Sequence, residues 1–146
     1  MRKPEKGRSA VKEENTCAEL RQIALASRQK AYSPYSHFSV GAALLSADGR
    51  VFTGSNVENA SYGLTVCAER VAFFKAVTEG CREFRTLAVA GSGPDPAIPC
   101  GACLQVMAEF APGLKIILVH DNGEYLCYSL KDFLPVPFRL EGAPGM

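Results

Sequence analysis

Four side chains in two short stretches have the types and spacing for metal chemistry. Thr65-Val-Cys-Ala-Glu-Arg70 offers a thiol at Cys67 and a carboxyl at Glu69, and Pro99-Cys-Gly-Ala-Cys103 offers thiols at Cys100 and Cys103. A catalytic zinc takes three protein ligands and leaves the fourth tetrahedral position to water, whose pKa it pulls down to about 7. Cys100 and Cys103 are three residues apart, so one helical turn aims both sulfurs at the same side. Cys67 supplies the third sulfur from another helix start. Glu69, two residues on, is placed to reach the activated water without ligating the metal. Three thiolates around Zn²⁺ sum to −1, which weakens the Lewis acid. Helix N-termini offset this by stabilising thiolates. Arg70, one turn after Cys67, can donate to its sulfur.

Other readings of a Cys-x-x-Cys pair are a redox motif or half of a structural zinc ribbon. A ribbon needs a fourth ligand at short spacing. Cys17, Cys81 and Cys127 stand alone, and neither His37 nor His120 has ligand spacing. The lone cysteines read as small buried hydrophobes. The full pattern, Cys-x-Glu followed by Pro-Cys-x-x-Cys, is the signature of zinc-dependent deaminases with Cys in place of the usual first His.

The chain has 146 residues, enough for one domain with a substantial core. A net charge of +1 provides no basic field of the kind nucleic-acid binding uses. No apolar run reaches membrane-spanning length. Six cysteines without a secretory leader point to a reduced, cytoplasmic setting.

The elements that must position the four residues follow from periodicity. Residues 1–15 are polar, with no apolar face, and are expected to form a disordered tail ahead of a domain at 16–146. Thr16 and Glu19 have capping-box spacing, which predicts a helix from Thr16 to about Lys30 with Leu20, Ile23, Ala24 and Ser27 on one face. Strands are expected over Val40 to Leu45 and Val51 to Val57, joined at Asp48-Gly49. Asn56 and Glu58, at the end of the second strand, are placed to hydrogen-bond substrate hydroxyls. A pair that merely caps the loop would read the same, and the residues alone leave both open. A helix from about Val66 to Glu79 is expected to bury Val71, Phe74, Ala76 and Val77 and to stop at Gly80. A strand at Leu87 to Ala90, a helix at Cys100 to about Phe110, strands at Ile116 to His120 and Tyr125 to Tyr128, and a short helix from Leu130 capped by Ser129 complete the chain. The fold class is α/β: a three-layer α/β/α sandwich with a mixed sheet of about five strands. Both metal helices must start at the same sheet edge.

From about Tyr32 to Phe138 the chain resembles the short-chain, homotetrameric cytidine deaminases. Ser36-His-Phe-Ser-Val-Gly41, Gly54-Ser-Asn-Val-Glu-Asn-Ala60, Cys67-Ala-Glu-Arg70, Pro99-Cys-Gly-Ala-Cys103 and Gln105-Val-Met107 carry the likeness. The resemblance implies one zinc per chain on Cys67, Cys100 and Cys103, with Glu69 as catalytic proton carrier. It implies that Asn56 and Glu58 hold the ribose 3′-hydroxyl, that Phe38 packs on the pyrimidine, and that the Ala60 backbone touches its carbonyl. Phe138 matches an aromatic that enters a neighbouring subunit's site. Ser39 stands where Pro is common and Leu104 where Arg is common. The implied activity is hydrolysis of free cytidine and 2′-deoxycytidine to the uridines and ammonia, in pyrimidine salvage. The partner is then a nucleoside and neither nucleic acid nor membrane.

Three alternatives remain at this stage. The same chemistry on another amino-pyrimidine, such as the antibiotic blasticidin S, suits Asn56 and Glu58 less well. Base editing within RNA or DNA needs a basic groove and stacking aromatics. A zinc-stabilised binding module needs a fourth ligand to close the site.

Overall fold

The computed structural model describes residues 8–142. Helix α1 (Arg8–Ser27) leads into a hairpin of β1 (Val40–Ser46) and β2 (Val51–Ser55). Then follow α2 (Ala68–Thr78), β3 (Phe84–Gly91), α3 (Gly101–Phe110), β4 (Lys115–Val119), β5 (Tyr125–Ser129) and the short α4 (Leu130–Phe133). The five strands form one sheet in the order β2-β1-β3-β4-β5, in which only β3 and β4 pair in parallel. This is the mixed-sheet α/β fold expected from the sequence.

Strand alternation builds two cores. On one face Ala43, Ala88, Ala90, Ile117 and Val119 pack under Cys17, Leu20 and Ala24 of α1. On the other, Leu44, Phe52, Leu87, Val89, Ile116 and Leu118 meet Ala68, Ala72 and Phe73 of α2 and Leu104 and Met107 of α3. Both faces of the sheet are therefore covered, which is why the inner strands read as apolar runs rather than as alternating ones.

Three expectations need correction. First, α1 begins at Arg8, not Thr16, so residues 8–15 of the expected tail are helical; residues 1–7 of it lie outside the described residues. Thr16 is interior, its hydroxyl donating to the Lys12 carbonyl at 2.9 Å instead of capping. The added turns are rich in helix formers, and Lys115 Nζ from β4 lies 3.9 Å from Glu13 in them. Second, α2 buries Ala68, Glu69, Ala72, Phe73 and Ala76, leaving Phe74 exposed. Its adjacent phenylalanines offer two helical phases, and the small Ala68/Ala72/Ala76 ridge is the one that fits against β2. Third, Cys127 is exposed in the single chain, whereas Cys17 and Cys81 are buried.

Close approach of both helices depends on two glycines in the hairpin. A Cβ on Gly41 would lie 2.1 Å from the Ala24 carbonyl oxygen, and one on Gly54 would lie 2.2 Å from that of Ala68 and 2.6 Å from the Ala72 nitrogen. Since α2 begins one residue after Cys67, Gly54 also sets where that thiol stands. Gly54→Ala is therefore expected to cost about 1–3 kcal/mol by overpacking, read by denaturant titration, and to lower zinc content at equal protein, read by elemental analysis.

Candidate metal and catalytic site

The hairpin makes β2 and β3 parallel to one another with β1 between them, so α2 and α3, which follow β2 and β3, start at the same end of the sheet and on the same face. Cys67 is the residue immediately before α2 and Cys100 the residue immediately before α3, both in extended conformation. The Cys103 N–H donates to Cys100 Sγ at 3.4 Å, so the thiol does the capping that Ser or Asp does elsewhere.

Three sulfurs converge as a result. Cys67 and Cys100 Sγ are 3.7 Å apart, Cys100 and Cys103 Sγ 3.3 Å, and all three lie within 4.8 Å of one another. A tetrahedral Zn²⁺ with bonds of about 2.3 Å needs sulfurs about 3.8 Å apart. The cluster fits that ion, and no fourth Cys, His, Asp or Glu joins it among the described residues.

The electrostatics suit a metal that needs thiolates. Cys67 is pulled down to about 5, first by the Cys103 thiol donating to it and then by the Arg70 guanidinium, whose Nη2 lies 3.6 Å away. Cys103 is pushed up, because its proton is held by the Cys67 thiolate and because it is buried. Arg70 also reaches the Thr65 carbonyl at 3.5 Å, while its Nε and the Thr65 hydroxyl are buried with no hydrogen-bond partner among the described residues.

Glu69 sits in the first turn of α2, 4% exposed. Burial raises its carboxyl to about 7, and the nearby Cys67 thiolate adds to the shift. A carboxyl near 7 exists in both forms at neutral pH, the condition a proton carrier needs.

Glu69, Cys67 and Cys100 line a cavity of about 400 Å³ whose other walls include Phe38, Asn56 and Glu58. Six of the residues singled out in the sequence thus share one space. Asn56 and Glu58 carry more structure than the sequence suggests. Asn56 Oδ1 accepts from Val40 N–H at 2.8 Å, and its Nδ2 donates to the Phe38 carbonyl at 2.9 Å. Glu58 Oε1 accepts from the Tyr35 and Ser36 N–H groups, each at 3.0 Å, and Oε2 from the Ser36 hydroxyl. These bonds hold the Glu58 carboxyl below the usual range, with the Ser36 hydroxyl contributing most. The pair therefore fastens the 32–40 loop and lines the cavity at once.

Ala60 and Phe138 are not among the lining residues of this cavity. Phe138 is 69% exposed, its carbonyl accepting from Gln105 Nε2 at 2.9 Å. Ser36, Tyr62, Thr65 and Ile98, which line the cavity, had no chemical signature to single them out as wall residues. A groove of about 340 Å³ between α1 and β5 lies on the opposite face and contains none of the site residues.

Residues 14–119 match the family described as the cytidine and deoxycytidylate deaminase zinc-binding region. The cytidine deaminase of Halalkalibacterium halodurans is 50% identical over 119 residues, covering 81% of this chain and 90% of that protein. The cytidine deaminase of Sporosarcina psychrophila is 48% identical over 115 residues, 78% of this chain and 85% of the other. Among solved structures, the cytidine deaminase of Burkholderia pseudomallei superposes with a TM-score of 0.79 at 51% identity, covering 82% of this chain and 97% of that one. That of Mycobacterium tuberculosis gives 0.73 at 41% identity, covering 84% and 96%. The chain belongs to the cytidine deaminase family of zinc-binding proteins.

Proposed function

We propose that the protein hydrolyses free cytidine and 2′-deoxycytidine to uridine and 2′-deoxyuridine with release of ammonia. The observation that carries this is a buried carboxyl on the wall of a cavity of about 400 Å³, beside three convergent sulfurs. Cys67, Cys100 and Cys103 would hold one zinc per chain, and the bound metal supplies Lewis-acid activation of water. Glu69 takes up the proton released as water adds to C4 and delivers protons to N3 and to the departing amino group. Water's oxygen thus ends on C4 of the pyrimidine, one of its hydrogens stays on N3, and the other leaves with the amino nitrogen as ammonia. Arg70 offsets the extra negative charge of the thiolate set. Asn56 and Glu58 receive the 3′-hydroxyl, Phe38 packs on the ring, and the Ala60 backbone meets the base carbonyl.

The single chain leaves Phe138, Val136, Leu140 and Leu64 largely exposed. This supports a homotetramer in which Phe138 enters a neighbour's site. A cytoplasmic location agrees with six free cysteines, and no described helix is long and apolar enough to cross a membrane.

Purified zinc-replete protein should convert cytidine to uridine, followed by the loss of cytidine absorbance; a zinc-loaded protein inert on cytidine would sink this reading. Glu69→Gln should retain about one zinc per chain and lose more than about 10⁴ in kcat, whereas Cys103→Ala should lose the metal itself. A chelator should abolish turnover and added zinc restore it.

In the metal-free protein, Glu69 holds its proton up to about pH 7 when folded and to 4.5 when unfolded. The folded state binds more protons in that window, so this group's contribution to stability is full below 4.5 and is lost as pH rises through 7. Denaturation curves of wild type and Glu69→Gln should therefore diverge across the window, with wild type losing relative stability as pH rises. Phe138→Ala should raise KM for cytidine, and light scattering of the wild type should give the mass of four chains.

A further inference from the structure

The Ser36 side chain joins two parts of the cavity wall, the Glu58 carboxylate and the Phe38 backbone. Its hydroxyl donates to Glu58 Oε2 and accepts from the Phe38 N–H at 3.0 Å, so its bonding is committed to both at once. The Ser36 N–H meanwhile donates to Glu58 Oε1. His37, between Ser36 and Phe38, has φ of 57°, in the left-handed region, which lets the chain turn tightly enough for Ser36 Oγ to meet the amide two residues on. Phe38 is then pressed against the β3 exit. A Cβ on Gly91 would lie 2.7 Å from the Phe38 ring, and one on Gly93 3.0 Å from it. On the far side, the Ser39 N–H donates to Ser92 Oγ and the Ser92 N–H to the Ser39 carbonyl, both at 2.9 Å.

Glu58 Oε1 is saturated by two backbone N–H groups, whereas Oε2 has the Ser36 hydroxyl as its donor. Oε2 is thus the oxygen with a lone pair left for a ligand hydroxyl, and Ser36 decides where that lone pair points.

We propose that Ser36 is a positioning residue for substrate recognition: its hydroxyl orients Glu58 Oε2 toward the sugar hydroxyl and locks that carboxylate to the aromatic wall at Phe38. This rests on the reading that Glu58 receives the 3′-hydroxyl. Ser36 itself need not touch substrate, since its one proton is already donated to Glu58 within the wall.

The test compares cytidine with 3′-deoxycytidine on zinc-loaded wild type, Ser36→Ala, Ser36→Thr, Glu58→Gln and the Ser36→Ala/Glu58→Gln double variant. Zinc content and melting temperature are measured alongside. Wild type should prefer cytidine in kcat/KM. Ser36→Ala should raise KM for cytidine about tenfold, the scale of one lost hydrogen bond to a charged group, with a smaller change in kcat. Its preference for the 3′-hydroxyl should shrink by a similar factor. Ser36→Thr, which keeps the hydroxyl, should restore both. The double variant should be no worse than Glu58→Gln alone, because Ser36 acts through that carboxylate. If Ser36→Ala does not fold, Ser36→Cys replaces it, since the thiol fills the same space and is a weak donor.

An unchanged 3′-hydroxyl preference in Ser36→Ala, with Glu58→Gln having lost it, would overturn the role of Ser36 and leave the sugar reading standing. Full preference retained in Glu58→Gln would overturn the sugar reading, and this proposal with it. Additive losses in the double variant would mean that Ser36 acts independently of Glu58, which also overturns it.

Discussion

One constraint organises the molecule: two helix starts must bring three sulfurs within bonding distance of a single ion. Strand direction meets it. Because β1 is antiparallel to both neighbours, β2 and β3 point the same way and discharge their helices at one end of the sheet. Cys67 and Cys100 occupy equivalent places, each just before a helix, where unpaired N–H groups favour negative sulfur. The carboxyl ends of strands are where open α/β sheets place their ligands in general, and the reason here is concrete. Moving either helix by one residue along its strand would separate the sulfurs by more than a metal can bridge.

The same arrangement sorts the titratable groups. Cys67 is held low by a thiol and a guanidinium, and Glu69, two residues away, is held high by burial and by the Cys67 charge. Across the cavity Glu58 is held low by three donors from the Tyr35–Ser36 segment. Two carboxyls in one space are therefore held apart, Glu58 toward the ionised form and Glu69 toward the protonated one. Their environments, not their residue types, make the difference.

Energetically, the site depends on packing outside it. Small residues at Gly41, Ala43, Ala88 and Ala90 let α1 lie against one face of the sheet, and Gly54 does the same for α2 on the other. The loop at 32–39 has no regular strand pairing of its own beyond the bridge from Tyr32 to Val57. Asn56 and Glu58 supply the bonds it lacks, so two residues that line the cavity also hold the wall in which they stand.

The three thiols that converge, the carboxyl near them, the mixed α/β sheet and the order of its elements were legible in the sequence, because residue spacing and apolar runs are local patterns. The phase of α2 was not legible, since neighbouring Phe73 and Phe74 are equally apolar and only tertiary contacts, Phe73 packing against Phe84 and Phe110, distinguish them. Nor was the start of α1 at Arg8, because its first turns show no apolar face and rest on helix propensity in continuation of the packed turns beyond them. The cavity wall at Ser36, Tyr62, Thr65 and Ile98, and the engagement of Asn56 and Glu58 with the loop, depend on segments twenty or more residues apart in the chain. Those relationships are set by chain crossing and close approach, and only the tertiary structure decides them.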